Sequence, residues 1–259
     1  MQNLKVAAIQ ANLVWENKKE NLLRFDEKLT DLQGQDVDLI VLPEMFPTGF
    51  TMNAVDLAET MDGPTISWMK SSAAKLSCAI MGSLIVKENS VFFNRMIFCS
   101  KSGEIAQYDK RHLFAMAKEH EVYVSGNENI IIELNGWRIA PFICYDLRFP
   151  VWMRNTQNYD LAVVMANWPE KRIYHWDSLL ISRAIENQSY IIGVNRVGLD
   201  GNNYNYPGHS CIINAAGTVL NKIEGKEIVF TETLDLLFLQ KTRQQLPFLG
   251  DKDDFYVNF

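Results

Sequence analysis

Short apolar runs and longer amphipathic stretches take turns along this chain from end to end. Leu4-Lys5-Val6-Ala7-Ala8-Ile9 opens the pattern as a first buried strand. Leu22, Phe25, Leu29 and Leu32 then recur at helical spacing, and Gly34 supplies the stop. Val37-Asp38-Leu39-Ile40-Val41-Leu42-Pro43 predicts a second strand, which runs into Glu44. Asp62-Gly63-Pro64 opens a helix to about Leu76, with Asp62 as the expected cap and Pro64 tolerated in the first turn. Ala79–Val86 and Val91–Cys99 read as paired strands across Lys87-Glu88-Asn89-Ser90, and Ser102-Gly103 turns the chain into Ile105–Asp109. Asn135-Gly136 is the clearest hairpin signal and joins Ile130–Leu134 to Trp137–Phe142.

The second half keeps the rhythm. Pro150 and Val151-Trp152-Met153 predict a short helix, followed by a buried strand over Leu161–Met165 and a helix from Tyr174 to about Asn187. Tyr190–Asn195 is a strand; Cys211–Asn214 pairs with Val219–Lys222 across Ala215-Ala216-Gly217. A strand near Ile228–Leu234 and a helix near Leu236–Gln245 complete the elements. Strands alternating with helices predict a mixed α/β core. With no low-complexity linker or shift in composition, residues 1–259 are expected to form one domain. Residues 246–259 form a C-terminal tail, whose Phe255, Tyr256 and Phe259 are expected to pack on the domain or across a dimer interface.

Composition narrows the classes. An apolar content of 47% in 259 residues supports a large core. A net charge of -6 argues against a nucleic-acid surface, which needs a basic patch. No apolar stretch approaches the roughly 20 residues that span a bilayer, and the first strand leaves no room for a signal peptide, so no membrane association is expected. Cys78, Cys99, Cys144 and Cys211 are scattered without a C-x-x-C spacing, which favours a reducing cytoplasm over disulfides or structural zinc.

The chemistry concentrates at strand ends. Glu44, Lys110 and Cys144 each follow a strand-like run, and side chains at strand ends converge in the crevice where α/β sheets hold ligands. Singly, each has an ordinary role open to it: Cys144 as packing, Glu44 as a surface cap, Lys110 with Arg111 as a solvated basic pair. Together they suit acyl transfer. A thiol is mostly protonated at neutral pH and needs a base or a positive field. Glu44 could take its proton, Lys110 and the Tyr145 N–H could stabilise the oxyanion, and amides of the turn after Cys144 could stabilise a thiolate.

Three blocks carry a resemblance: Leu42-Pro43-Glu44, Tyr108-Asp109-Lys110-Arg111-His112-Leu113-Phe114, and Ile143-Cys144-Tyr145-Asp146-Leu147-Arg148-Phe149-Pro150. In this order they resemble the signature blocks of the nitrilase, or carbon–nitrogen hydrolase, superfamily. Val6-Ala7-Ala8-Ile9-Gln10 and Arg183-Ala184-Ile185-Glu186-Asn187 extend the likeness over essentially the whole chain. The resemblance implies a four-layer α-β-β-α sandwich and a triad of Glu44 as base, Lys110 as oxyanion-stabilising cation and Cys144 as nucleophile. It also implies no metal and no organic cofactor. A second glutamate usually follows the lysine block; Glu119 matches better than Glu121. Ala166-Asn167-Trp168-Pro169 and Gly193-Val194-Asn195-Arg196-Val197-Gly198 look closest to the ω-amidase-like branch, with its bacterial 2-oxoglutaramate amidases.

That branch implies hydrolysis of the terminal amide of 2-oxoglutaramate or 2-oxosuccinamate by water, through a thioester. Arg148 is the nearest guanidinium for the substrate carboxylate, with an internal pairing to Asp146 as its structural alternative. Phe114 and Trp168 are expected as pocket walls, and Asn167 as a group that orients the nucleophile loop or the substrate. Other amides, nitriles or N-carbamoyl compounds remain open as substrates, as does a silent small-molecule-binding protein. A Cys–His mechanism would need His112, His120, His175 or His209. A homodimer or higher homo-oligomer is what the resemblance implies for assembly.

Overall fold

A strand that is apolar on both faces needs two partners, and β1 (Leu4–Gln10) finds both. Val6 and Ala8 join one apolar cluster, while Ala7 and Ile9 join another. The computed structural model describes residues 2–256. After β1 come α1 (Lys18–Thr30), β2 (Leu39–Val41), α2 (Ala54–Leu57), α3 (Pro64–Leu76), β3 (Ala79–Glu88), β4 (Val91–Cys99) and β5 (Ile105–Asp109). Next are β6 (Ile132–Leu134), β7 (Trp137–Ile143), α4 (Pro150–Met153), β8 (Leu161–Ala166) and α5 (Ile173–Asn187). The chain continues with β9 (Tyr190–Asn195), β10 (Val197–Leu199), β11 (Asn205–Ile213), β12 (Val219–Glu224), β13 (Ile228–Leu234) and α6 (Leu236–Gln245).

The strands form two sheets, ordered β13-β1-β2-β3-β4-β5 and β10-β11-β9-β8-β7-β6, with β12 added on β11. Within the first sheet β1, β2 and β3 are parallel; within the second, β7, β8 and β9 are. The period-two alternation of β1, β2 and β3 sends Val6, Leu39 and Met81 into the same cluster as Ile139 and Phe142 of β7. The opposite faces, with Ile9, Ile40 and Ile80, meet Phe25 and Leu29 of α1 and Ile66, Met69 and Ala73 of α3. Trp176, Leu180 and Ala184 of α5 and Leu236 and Leu239 of α6 belong to the first cluster. The result is the expected four-layer α-β-β-α sandwich, held by apolar burial worth about 1.5–3 kcal/mol for each fully covered large side chain.

Several local expectations change. The cap of α3 is Gly63 rather than Asp62, and the carboxylate at this helix start comes from further upstream. Glu59 accepts from the Thr65 N–H at 2.8 Å and from the Thr65 hydroxyl at 2.7 Å. Pro64 has no N–H of its own, so the next amide is the one that needs an acceptor. Strand β2 is shorter than the apolar run that predicted it, because its ladder ends where Pro43 and Glu44 turn away. Strand β10 and the first half of β11 escaped prediction, since the Gly, Pro and Asn content of residues 198–208 reads as loop. Ile130 and Ile131 lie outside β6. In the tail, Tyr256 is 95% exposed and does not fold back; Phe259 lies outside the described residues.

Candidate active site

Glu44 sits where the first sheet lets go of its chain. Leu42 N–H still donates to Met81 at 2.8 Å, but Pro43 cannot continue the ladder, and the following turn drives Glu44 into the interior. Met45 has φ +45°, and its N–H donates to the Ser83 hydroxyl at 2.8 Å, which fixes the turn against β3. Glu44 is fully buried. Its Oε1 accepts from Lys110 Nζ at 2.8 Å and from Asn94 Nδ2 at 2.9 Å. Its Oε2 accepts from the Asn167 N–H at 2.8 Å, and its backbone carbonyl accepts from Asn167 Nδ2 at 2.6 Å. Asn167, just after β8, therefore holds Glu44 at two points.

Lys110 follows β5 and is almost completely buried. Its ammonium bridges Glu44 and both oxygens of Glu119, each at 3.0 Å. Burial pulls this ammonium down, but Glu119 and Glu44 outweigh it and hold Lys110 above the usual lysine range. Glu119 is fully buried on a 3₁₀ turn and also accepts from the Phe114 N–H at 2.6 Å. Burial pushes its carboxyl up, against the pull of Lys110. Glu121 points away, exposed and paired with Lys118 at 3.7 Å. Sequence reasoning missed Asn94, whose amide donates to Glu44 and, at 3.3 Å, to Glu119. Its Oδ1 accepts from the Ser83 hydroxyl at 2.9 Å, so the amide can face only one way. The available signal was a lone amide inside the apolar run of β4.

Cys144 follows β7 with φ +44°, a left-handed conformation that costs a non-glycine residue on the order of 1 kcal/mol. Asp146 holds the turn: it accepts from Ile143 N–H at 3.0 Å, Tyr108 hydroxyl at 2.7 Å, and the N–H and Nδ1 of His112 at 2.9 Å each. The thiol is partly open to a cavity, and its Sγ lies 4.0 Å from the Asn167 carbonyl. Burial and the Glu44 charge push the thiol well above its ordinary value, with Lys110 opposing. These charges favour the protonated sulfur.

The cavity measures about 800 Å³ and is lined by Lys110, Cys144, Tyr145, Phe114 and Trp168, among others. Phe114 and Trp168 are among the cavity's walls; Phe114 packs edge-on against Tyr145 at 5.0 Å. Arg148 also lines the cavity, stacked over Trp168 at 4.6 Å. It does not pair with Asp146, whose oxygens are taken by the donors named above. Arg172, unnoticed in the sequence, lines the same cavity and stacks over Phe114 at 5.0 Å. Its signal was only a second basic residue, next to Lys171, after Trp168-Pro169.

The histidines lie apart from the thiol. His112 stacks on Phe149 and binds Asp146; His120 and His175 are exposed; His209 pairs with Asp177 at 2.9 Å. No group of three or more His, Cys, Asp or Glu side chains able to hold a metal ion occurs among the described residues. Likewise, no described helix is long and apolar enough to cross a membrane. An acid, an ammonium and a thiol around one cavity can cleave an acyl bond by nucleophilic attack, without a histidine.

Comparison with known proteins shows the family. The carbon-nitrogen hydrolase profile matches residues 5–244. The chain is 45% identical over 260 residues to the omega-amidase YafV of Yersinia enterocolitica, covering 99% of this chain and 100% of that one. It is 34% identical over 257 residues to the 2-oxoglutaramate amidase of Bacillus subtilis, covering 97% and 98% of the two chains. The crystal structure of XC1258 from Xanthomonas campestris, a CN-hydrolase superfamily protein with an arsenic adduct in its active site, superposes with a TM-score of 0.97. That pair is 39% identical, with 100% of both chains covered.

Proposed function

This chain belongs to the carbon–nitrogen hydrolase family, a hydrolase of carbon–nitrogen bonds other than peptide bonds, and on that premise we propose that it cleaves the terminal amide of small 2-oxo acid amides through a Cys144 thioester. The observation that carries the reading is the buried Lys110 ammonium, held between Glu44 and Glu119 on the cavity that opens Cys144 to a ligand. The names of the ω-amidase and 2-oxoglutaramate amidase relatives support the substrate class. The arginine wall suits an amide that carries a carboxylate at its other end.

In this cycle Cys144 Sγ attacks the amide carbon as its proton passes to Glu44. Lys110 and the Tyr145 N–H stabilise the oxygen that becomes negative. The tetrahedral adduct collapses, the C–N bond breaks, and the departing nitrogen takes the proton from Glu44 to leave as ammonia. Water then attacks the thioester carbon and gives a proton to Glu44, which returns it to sulfur as the second carboxylate leaves. Glu119 touches no reacting atom here; it positions Lys110.

Ammonia release from 2-oxoglutaramate, 2-oxosuccinamate, glutamine, asparagine and a simple nitrile tests this, with Cys144→Ala as control. Turnover of the 2-oxo acid amides, lost in Cys144→Ala, is expected. Turnover of the nitrile or another amide instead would keep the cysteine chemistry and discard the substrate; retained turnover in Cys144→Ala would discard the mechanism.

A further inference from the structure

A carboxylate has about four lone-pair sites, and the neighbours of Glu44 fill them unevenly. Oε1 accepts from Lys110 Nζ at 2.8 Å and from Asn94 Nδ2 at 2.9 Å. Oε2 accepts one hydrogen bond among the described residues, from the Asn167 N–H at 2.8 Å. The Asn167 carbonyl stands 4.0 Å from Cys144 Sγ, so the residue that holds Oε2 also borders the sulfur. The half-filled oxygen is the one on the nucleophile's side.

Asn94 decides which oxygen is filled. It lies fully buried on β4 opposite Ile85 of β3, which puts its side chain on the same sheet face as Ser83, two residues before Ile85. Its NH₂ donates to Glu44 and, at 3.3 Å, to Glu119, and its backbone carbonyl accepts from the Lys110 N–H at 3.0 Å. Turned over, the amide would set Oδ1 against two carboxylates. Ser83 fixes the other way round: its hydroxyl donates to Asn94 Oδ1 at 2.9 Å, and its Oγ accepts from the Met45 N–H at 2.8 Å. The hydrogen bonds thus close a ring, from the backbone just after Glu44, through Ser83 and Asn94, to the Glu44 carboxylate. A buried ring with every donor matched to an acceptor holds its members in one geometry.

We infer that Asn94, locked by Ser83, is a positioning residue that fills Glu44 Oε1 and thereby presents Oε2 to Cys144 as the oxygen that takes the thiol proton. The inference rests on the proposed cycle. In that step the S–H bond breaks as sulfur bonds to the amide carbon, an Oε2–H bond forms, and the carbonyl electron pair moves to the substrate oxygen. Oε1 is then the carbonyl oxygen of a neutral acid and still accepts both of its hydrogen bonds. An amide suits this place because it donates without a charge and has no proton to exchange with Glu44.

The test reads kcat and KM, on whichever amide the natural protein hydrolyses, in Asn94→Leu, Ser83→Ala and the double variant. Loss of a hydrogen bond to a charged group predicts that Asn94→Leu lowers kcat by about 10- to 100-fold with KM held within about threefold. Asn94 is not one of the residues that line the cavity, so a loss carried by KM alone would overturn the proposal. Ser83→Ala frees the amide to turn and is expected to lower kcat by about tenfold. Because Ser83 acts through Asn94, the double variant should stay within about threefold of Asn94→Leu. A further full loss of about tenfold in the double variant would mean two independent structural effects and refute the lock. A second measurement needs neither a substrate nor an Asn94 variant that folds. In the nitrogen-15-labelled natural protein the two Asn94 Nδ2 protons should give separate, slowly exchanging lines, and Ser83→Ala should speed their exchange with water by about tenfold or more. Unchanged exchange would refute the lock. Absence of turnover on every amide and nitrile would remove the amidase reading, while the exchange rate would still decide whether Ser83 holds Asn94.

Discussion

Replacing Glu119 by glutamine keeps the shape of the side chain and removes one charge from the buried cluster. Each Glu119 oxygen accepts from Lys110 Nζ at 3.0 Å; Oε1 also accepts from Asn94 Nδ2 at 3.3 Å and Oε2 from Phe114 N–H at 2.6 Å. Whichever way the new amide turns, its NH₂ faces two donors. One contact to a charged group, worth about 1.5–3 kcal/mol, is lost, and a neighbouring buried donor is left unpaired at about 1–3 kcal/mol. If about 3 kcal/mol of this is felt as misplacement of Lys110, kcat falls by roughly two orders of magnitude. The thiol moves the other way. Burial is the first cause of its raised pKa and Glu44 the second, but the Glu119 charge adds to them, so its removal lowers the thiol pKa. A lower thiol pKa means more thiolate and faster alkylation at fixed pH. Ammonia release and the second-order rate of iodoacetamide modification, both at pH 7.5, check the pair of effects. Turnover within threefold of the natural protein, or alkylation slowed in parallel with turnover, would refute the reasoning.

Four other outcomes follow from the same structure. Because Cys144 rests as a thiol with a raised pKa, its alkylation rate should climb about tenfold per unit from pH 6 to 9 without a plateau; a plateau below pH 8 would mean a preformed thiolate. Cys78, Cys99 and Cys211, pushed up to about 11, 11 and 12 by burial, should stay unmodified while Cys144 reacts, as mass spectrometry of the digested protein would read. Ser83→Ala leaves the Met45 N–H and the Asn94 Oδ1 without their partner in the interior. It should cost about 2 kcal/mol or more, seen as a lower urea midpoint at unchanged slope. Gly208 has φ +79°, and a Cβ there would come within 2.3 Å of Gln10 Oε1, which accepts from the Ser210 N–H at 2.9 Å. Gly208→Ala should destabilise by about 2–4 kcal/mol and lower the melting temperature accordingly.

The sequence was most legible where a rule of local geometry was also the rule of the whole fold. Tyr190–Asn195 matches β9 residue for residue, because burial on both faces marks it, and the strand and helix expected near Ile228–Leu234 and Leu236–Gln245 are β13 and α6. Strand β10 was not legible: it is three residues long, and its Gly198 at φ +83° says turn rather than strand. The placement of Glu44, Lys110 and Cys144 at strand ends was visible, since a reactive residue after an apolar run has few other places to go. The alternative roles of Arg148 and Asn167 were not separable, because each is decided by contacts distant in the chain: Arg148 lies over Trp168, and Asn167 holds Glu44. Asn94 and Arg172 were invisible for another reason: an amide in a strand and a basic residue in a loop are common, and only the fold shows what they face.

The buried charges also suggest why the site keeps its thiol protonated. With Glu44 and Glu119 ionised, Lys110 charged and Cys144 neutral, the cluster carries one negative charge, close to a single ammonium. A resting thiolate would add a second negative charge to a space where burial already disfavours the first. In the proposed cycle that second charge never exists. When sulfur attacks, its proton neutralises Glu44 as the substrate oxygen becomes negative, so the net charge of the cluster stays the same. The charge moves from one contact of Lys110 to another, from a carboxylate already 2.8 Å from the ammonium to an oxygen on the substrate. Glu119, untouched by the proton, holds the ammonium in place while its other partner changes. This accounts for two carboxylates around one lysine: with only Glu44, the neutralisation that accompanies attack would also release the cation that the new oxyanion needs.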